Sequence, residues 1–502
     1  MPPLINRRRA LLFPLLAVLA VILYVRHQAT AQYSFAVPSR LSFAHVPLEH
    51  ETNLPVSVPV SEPSDSEEAR HTAEQLLFPG VAQSLSSTSA PEPTVISSSL
   101  PPPPPKPTTL PPSVKYRPLS SGRWHQLASP PGSLPALHTL WGSHGHYCLP
   151  AFREDLQLLS DSEREELGRE RLLRCTSWEW VPSLPGGAKM REWNVRNFIA
   201  RLVNSERGML LVGDSLTGQM ADVLYSMLLL PIPGSEDNSY PAILPSAHYT
   251  TGTHVVIDHM NVTLHPFHPL YAELRAQFPH ILEERFQEPI VQYMRHDLLL
   301  SYAELEPVFE QVGFTHAPFE YGPFASQFPW RVRLPNNPSR WDGEQDSVLV
   351  LNTGAHWSPA RWGVPQAAYT EGYRAVVRHL LPELLGTPKL HLVYRGTASP
   401  HTNCYEHTAP VFPGLPVDPA HEYDWGWAHF PVLDQVWAEQ LDEAAPEGKG
   451  SAGGRVDILD VREMSAQRPE DHVLGFDGKG DCLHWYGPTV PGTWAKMVWH
   501  IL

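Results

Sequence analysis

The spacing of apolar and polar residues near the middle of the chain predicts a strand, a tight turn and a helix in succession. Residues 209–212 are an apolar run of strand length, and Gly213-Asp214-Ser215 follows them. Over residues 216–230 apolar positions recur close to helical spacing, until Pro231 ends the pattern. Ser215 is therefore predicted to lie beyond a strand's carboxyl end, at a helix N-terminus that favours a developing negative charge.

Two later apolar runs, residues 347–351 and 390–394, predict further strands, and polar or small residues follow both. Ligands bind at the carboxyl ends of strands in open parallel sheets, which favours a functional interpretation. Asn352 or the Gly354 N–H is then a candidate oxyanion donor, and Arg395 a candidate ligand for a carbonyl or glycan oxygen. The alternative interpretation is that these are turn residues and a surface arginine.

The N-terminus carries a membrane-targeting pattern, in which three arginines precede a continuous apolar run over residues 10–25. Basic residues ahead of such a run favour a cytosolic tail, residues 1–9, followed by a transmembrane signal anchor. A cleaved signal peptide is the alternative, because Ala29-Thr30-Ala31 has the form of a cleavage site. Both interpretations place the rest of the chain outside the cytosol.

Residues 26–136 are rich in Ser, Pro and Thr and contain no cysteine. This composition predicts a solvated, disordered stem with polyproline segments, or an insertion without a role. From residue 137 onward the aromatic density rises and all cysteines appear. Residues 137–502 are therefore predicted to form one head domain, with a smaller N-terminal lobe around Cys148 and Cys175.

Charge and cysteine spacing exclude several function classes. The 37 basic and 53 acidic residues give a net charge of −16, so no nucleic acid is expected as a partner. The four cysteines show no C-x-x-C spacing, which excludes zinc fingers and thioredoxin-type motifs and suits disulfides in an oxidising compartment. His265 and His268 lack further ligands at a suitable spacing, so no metal site is expected. Asn261-Val262-Thr263 is a glycosylation sequon.

The end of the chain contains the groups that would activate a serine. Asp481 and His484 stand three positions apart in a predicted loop. A serine is a weak nucleophile until a base takes its proton, and a histidine oriented by an aspartate is such a base. Ser215, His484 and Asp481 are therefore predicted to form a catalytic triad, although an N-cap serine and a hydrogen-bonded loop would explain each pattern separately.

These motifs stand in a characteristic order: Gly213-Asp214-Ser215-Leu216, Asn352-Thr353-Gly354-Ala355-His356-Trp357, Arg395 with Ser399-Pro400-His401, Arg468-Pro469, and Asp481-Cys482-Leu483-His484-Trp485. The ordered set resembles the PC-esterase family, which includes the trichome-birefringence-like polysaccharide O-acetyltransferases of plants and related fungal proteins. The resemblance covers residues 148–502. It implies an α/β fold of the GDSL/SGNH-hydrolase type, with a parallel sheet in a three-layer α/β/α arrangement.

The resemblance also implies roles for individual residues. Ser215 corresponds to the nucleophile, and Asp481 with His484 to the DxxH dyad. The Ser215 N–H, with Gly354 or Asn352, is expected to form the oxyanion hole. Expected substrate-binding residues are Arg395, His356, Trp357 and Trp485. Cys404 and Cys482 correspond to positions that the family joins by a disulfide, which leaves Cys148 and Cys175 to pair.

The function expected from these residues is O-acetylation of a glycan or polysaccharide through an acyl-serine. No cofactor is expected to be bound, and acetyl-CoA or another acetyl ester would be the co-substrate, with an acetyl-donor transporter as a further partner. The expected location is the Golgi membrane, as a single-pass type II glycoprotein, with secretion as the alternative. The rival functions are a carbohydrate acetylesterase with the same triad, and a non-catalytic glycan-binding protein whose residues Trp357, Trp485 and Trp494 stack on sugars.

Overall fold

The computed structural model describes residues 119–133, 161–229, 242–250, 256–313, 329–336, 343–358, 366–416, 426–473, 481–485 and 488–502. All of them lie within the unit Pro103–Leu502. The expected tail and anchor, residues 1–25, lie outside the described residues, as do Cys148 and most of the expected stem. Within these described ranges, no helix combines the length and apolar character that a membrane span requires.

Strands and helices alternate along most of the described chain. The strands are β1 (Gly122–Gln126), β2 (Trp178–Pro182), β3 (Met209–Gly213), β4 (Ile243–Thr250), β5 (Val256–Leu264), β6 (Val291–Arg295), β7 (Ser347–Leu351), β8 (Leu390–Arg395), β9 (Val456–Leu459), β10 (His472–Val473) and β11 (Asp481–Trp485). The helices are α1 (Asp161–Cys175), α2 (Val195–Val203), α3 (Ser215–Met227), α4 (Pro269–Gln277), α5 (Glu283–Gln287), α6 (Tyr302–Glu310), α7 (Gln366–Gly386), α8 (Phe430–Ala444), α9 (Arg462–Ala466) and α10 (Thr489–Ile501).

The central sheet has seven strands in the order β4-β5-β6-β3-β7-β8-β9. Strands β6, β3, β7, β8 and β9 run parallel, whereas β5 runs antiparallel to both of its neighbours. The mixed α/β class with a mostly parallel sheet is therefore confirmed. Because β6, β3, β7 and β8 are parallel, the segments that follow them emerge at one edge of the sheet.

Both faces of this sheet are buried under helices. On β3, Met209 and Leu211 belong to one apolar cluster, and Leu210 and Val212 belong to another on the opposite face. Helices α2, α3 and α10 contribute to the first cluster, and α6, α7 and α8 to the second. A strand that is buried on both faces needs a continuous apolar run rather than an alternating one, which explains why these strands could be recognised in the sequence.

The folded part begins earlier than the sequence predicts. Strand β1 lies inside the range 26–136, which the composition predicts to be a stem, and it pairs antiparallel with β2. Trp124 is 1% exposed, and its indole N–H donates to the Met464 carbonyl at 2.8 Å. Trp124 and Trp180 share the apolar cluster of α3 and α10. Strands β1 and β2, the described strands of this N-terminal part, therefore pack on the main core. The sequence gives no local signal for β1, because its partners are distant along the chain.

Candidate active site

Ser215 is the first residue of α3, as the sequence predicts. The N-cap of this helix is Asp214, and its Oδ1 accepts a hydrogen bond from the Leu216 N–H at 3.0 Å. The alternative interpretation of Ser215 as an N-cap serine is therefore wrong. Because Asp214 caps the helix, the Ser215 hydroxyl is available for another contact.

Two glycines allow the loops around Ser215 to approach each other closely. A Cβ on Gly213 would lie 2.5 Å from the Asn352 carbonyl oxygen, and a Cβ on Gly354 would lie 2.3 Å from Thr397 Oγ1. Both distances are well inside van der Waals contact, so any side chain at these positions would push the loops apart. The packing at the carboxyl edge of β3 and β7 therefore requires glycine at both sites.

His484 joins Ser215 to Asp481. Its Nε2 lies 2.7 Å from Ser215 Oγ, and its Nδ1 lies 2.6 Å from Asp481 Oδ2. Asp481 Oδ1 also accepts the backbone N–H of His484 at 3.1 Å, which fixes the carboxylate beside the ring. The two side chains remain partly accessible, with 27% of His484 and 39% of Asp481 exposed. The structure thus brings the three predicted residues into one hydrogen-bonded line.

The electrostatics of this line favour a basic His484. Burial alone lowers the pKa of His484, but the charge and hydrogen bond of Asp481, together with the charge of Asp214, outweigh burial, and the net pKa is raised. Burial also acts on Asp481, where it raises the pKa. The charge and hydrogen bond of His484 and two backbone N–H groups lower the pKa of Asp481 by more than burial raises it, so the net pKa lies well below the usual carboxyl range. Asp481 is therefore ionised and holds a proton on the Nδ1 side of the imidazole.

Asp481 and His484 lie on strand β11 rather than in the predicted loop. Strand β11 pairs with β10 outside the central sheet. The expected disulfide between Cys404 and Cys482 is confirmed, and the His401 N–H donates to the Cys482 carbonyl at 3.0 Å. These contacts tie the strand of the DxxH motif to the segment that follows β8.

Removing this disulfide should destabilise the protein substantially. The bond closes a loop with a sequence separation of 78, and loops of this size correspond to about 3–5 kcal/mol of stabilisation. We expect the double variant Cys404→Ala/Cys482→Ala to lose that much unfolding free energy in urea titrations without reductant. Cys175→Ala is the matched control, because it removes a buried cysteine outside the disulfide. A double variant as stable as the wild type would contradict this expectation.

Cys148, the expected partner of Cys175, lies outside the described residues, so that pairing stays a prediction. Among the described residues, Cys175 is a buried thiol at the end of α1 that joins no disulfide, and its sulfur lies 3.8 Å from the Glu470 carbonyl oxygen. Burial, reinforced by the negative charge of Asp471, raises the pKa of this thiol well above its ordinary value. The core therefore encloses the Cys175 thiol and disfavours its ionisation.

Asn352 supports the neighbouring strand end. It is fully buried, and its Nδ2 donates to the Arg395 carbonyl at 3.0 Å and lies 3.5 Å from Thr397 Oγ1. Its Oδ1 accepts from Thr217 at 3.4 Å. With these partners the Asn352 amide is directed at β8 and α3 and does not donate to the Ser215 hydroxyl.

Arg395 is neither a surface arginine nor accessible to a substrate. It is 0% exposed, it donates to Thr217 Oγ1 at 3.1 Å, and its guanidinium lies 4.5 Å from the centroid of the Trp494 ring. Burial lowers the pKa of Arg395 to about 10. Its expected role in substrate binding is corrected accordingly: Arg395 packs beneath the site and contacts the helix that begins at Ser215.

The tryptophans expected to contact a sugar are also buried. Trp357 is 0% exposed among aromatic residues of the core, and Trp485 and Trp494 are 1% and 0% exposed. Because these rings form core contacts, they offer no stacking surface. This finding corrects the expected substrate-binding role of Trp357 and Trp485, and it removes the feature on which the non-catalytic glycan-binding hypothesis rests. His356 is the exception, with 15% of its side chain exposed.

A buried ion pair lies near the site, and the sequence analysis assigns it no role. Arg295 ends β6 opposite Gly213, and its Nε donates to Asp297 Oδ1 at 3.0 Å. The positive charge of Arg295 acts to lower the pKa of His484, and Asp297 Oδ2 lies 3.5 Å from His356 Nε2. The signal that could have found these residues is the one used for Asn352, because polar residues follow a buried strand here too.

The remaining candidates have local structural explanations or stay untested. His268 caps α4, since its Nδ1 accepts the Leu270 N–H at 3.1 Å. In the part of the chain that the structure describes, no group of three or more His, Cys, Asp or Glu side chains is arranged to hold a metal ion. Asn261 lies on β5 with intermediate exposure, and its glycosylation stays a prediction.

Comparison with known proteins finds a distant similarity, to the same group of proteins that the motifs resemble. No family model matches this chain. The chain is 26% identical over 183 residues to Protein trichome birefringence-like 15 of Arabidopsis thaliana, a match that covers 30% of this chain and 34% of that protein. The match suggests the PC-esterase family. It supports an enzyme of the esterase or acyltransferase kind, while the chain aligns with only about a third of its relative.

Proposed function

We propose that this protein is a glycan O-acetyltransferase that works through an acyl-serine at Ser215. The observation that carries the proposal is the continuous contact from Ser215 Oγ through both ring nitrogens of His484 to Asp481, at 2.7 and 2.6 Å. A nucleophile, a base and an orienting carboxylate in this order are the working parts of acyl transfer. We further propose that the head domain is an SGNH-hydrolase-like domain of the PC-esterase type.

In the first half of the reaction, Ser215 Oγ attacks the carbonyl carbon of an acetyl donor. The hydroxyl proton passes to His484 Nε2, and the resulting imidazolium is stabilised by Asp481. The carbonyl oxygen becomes an oxyanion near the N-terminus of α3, where the N–H groups of Ser215 and Gly354 are the donors that we expect. When the tetrahedral intermediate collapses, the donor's leaving group takes the proton from His484, and acetyl-Ser215 remains.

In the second half, a sugar hydroxyl attacks the carbonyl carbon of acetyl-Ser215. His484 Nε2 takes the proton of that hydroxyl as the new ester bond forms. The bond between the acetyl carbon and Ser215 Oγ then breaks, and His484 returns its proton to Ser215. The same base thus serves both halves, and the site returns to its starting protonation state.

The co-substrate and location follow from the same proposal. No bound cofactor is required, and acetyl-CoA or another acetyl ester would supply the acetyl group. The acceptor would be a glycan or polysaccharide, with the head domain in the Golgi lumen on a single-pass type II anchor, or secreted. A luminal enzyme of this kind needs a membrane transporter for its acetyl donor as a partner.

A carbohydrate acetylesterase is the second candidate, and the exposure of the site favours it. Since 27% of His484 and 39% of Asp481 are exposed, water can reach the base. Water in place of the sugar hydroxyl would convert the acyl-enzyme to acetate, so the exclusion of water decides between the two functions.

The deciding experiment follows both products of one reaction. The full chain is incubated with an activated acetyl ester and a panel of neutral oligosaccharides, and acetylated sugar and free acetate are quantified by mass spectrometry. We expect acetylated sugar to form in preference to acetate with the correct acceptor. Acetate alone for every acceptor would identify an esterase, and neither product above the Ser215→Ala blank would reject both functions.

A further inference from the structure

The strand that carries His484 is held outside the central sheet. Strand β11 pairs only with the two residues of β10 within the described chain, and the register of that pair is irregular. A pairing this short does little to fix the strand's position. Other contacts must therefore set the separation between His484 and Ser215.

Gln219 makes such a contact. It lies on α3 four residues after Ser215, so the two side chains share one face of the helix. Its Nε2 donates to the Trp485 carbonyl at 2.8 Å, and its Oε1 accepts the Trp485 N–H at 3.0 Å. The carboxamide therefore bonds both backbone groups of the residue next to His484, as an adjacent strand would.

The other supports of β11 connect it to different parts of the molecule. The disulfide joins Cys482 to Cys404, and His472 Nδ1 donates to the His484 carbonyl at 2.8 Å from the partner strand β10. Gln219 instead joins the backbone of β11 to the helix that begins with Ser215. This contact links the strand of the base directly to the helix of the nucleophile.

We propose that Gln219 is a positioning residue that sets the distance between His484 Nε2 and Ser215 Oγ. The inference rests on the proposed function, because it assumes that His484 takes the proton of Ser215. A general base must lie within hydrogen-bond reach, and a displacement of about 1 Å lowers the rate by about 100-fold. Gln219 acts through the backbone of Trp485 and takes no part in the proton transfer itself.

Two variants test this role in different ways. Gln219→Leu removes both bonds at similar volume, and we expect kcat to fall about 10- to 100-fold with KM within about twofold of the wild type. Gln219→Glu keeps the shape. Its protonated acid can donate to the Trp485 carbonyl and accept the Trp485 N–H, whereas its ionised form cannot donate. The ratio of variant to wild-type kcat should therefore rise as the pH falls from about 6 to about 5, below the titration midpoint of His484 in both proteins, as the new carboxyl takes up its proton.

Gln467 provides the matched control. Gln467 follows α9 directly; its Nε2 donates to the Gly122 carbonyl at 3.1 Å and its Oε1 accepts the Trp124 N–H at 3.3 Å, so its carboxamide also bonds the backbone of a strand, β1. Gln467→Leu and Gln467→Glu should lower the melting temperature at least as much as the Gln219 variants. Their kcat should stay within about twofold of the wild type, and the kcat ratio of Gln467→Glu should not change with pH.

A covalent probe separates this inference from the proposed function. A fluorophosphonate forms a phosphorus–oxygen bond with an activated serine and releases fluoride, whatever acyl group the enzyme uses. Slow labelling of Ser215 in Gln219→Leu would support the positioning role, even if no acetyl donor is turned over and the proposed function fails. Labelling and kcat within twofold of the wild type in Gln219→Leu would overturn it. So would a wild-type protein whose Ser215 is not labelled, because there would be no activated serine to position.

Discussion

Replacement of Ser215 by alanine is expected to lower acetyl turnover by about 10⁴- to 10⁶-fold, the range that loss of the nucleophile produces in a serine triad. The reason is that no acyl-enzyme can form when Oγ is absent, whereas the oxyanion donors and the binding surface remain. Steady-state kcat/KM on an activated acetyl ester measures the loss. Mass spectrometry of the intact protein should show an acetyl increment on the wild type alone.

The structure provides a control for this variant on the same helix. Ser226 is 3% exposed, and its hydroxyl donates to the Asp222 carbonyl at 3.3 Å within α3. Ser226→Ala should leave turnover unchanged, and Ser215→Ala should keep the wild-type melting temperature because Asp214 caps the helix. Turnover within tenfold of the wild type in Ser215→Ala would rule out an acyl-serine mechanism.

The parts of the site that sequence predicts are those in which the informative residues are neighbours. An apolar strand, Gly213 and a helical period locate Ser215 at the start of α3, which runs to Met227 rather than to residue 230. The three-residue spacing of Asp481 and His484 likewise allows the contact of 2.6 Å. These features need only local geometry, so one sequence is enough to infer them.

The parts that sequence misses depend on which distant segment covers a residue. Arg395 is the last residue of β8, and its burial arises because Trp494, from α10, packs over the guanidinium. The role of Gln219 also depends on a distant segment. Nothing in the sequence near this partly exposed helical glutamine indicates that it bonds Trp485. Tertiary packing decides whether a polar or aromatic side chain near a strand end faces a ligand or the core.

Neutralising Asp481 is expected to change both the rate and its pH dependence. In the wild type, His484 must be neutral to take the proton of Ser215, and its raised pKa means that activity appears only as the pH rises through a midpoint above about 6.5. In Asp481→Asn the larger raising charge is lost and only that of Asp214 remains, while burial and Arg295 still lower the pKa of His484. The acid limb should therefore move to lower pH, and kcat should fall about 10⁴-fold because the ring loses its orienting carboxylate.

The shift of the acid limb favours activity at low pH, whereas the loss of the orienting carboxylate lowers the rate at every pH, so the combined result is distinctive. Profiles of kcat/KM between about pH 5 and 9 measure both, and loss of folding would lower the rate without moving the limb. Asp457→Asn is the matched control, because Asp457 Oδ2 bonds His391 Nε2 at 2.8 Å in a buried pair on β8 and β9. That variant should lower stability and leave the midpoint unchanged. An acid limb that stays in place or moves to higher pH in Asp481→Asn would show that Asp481 does not set the basicity of His484.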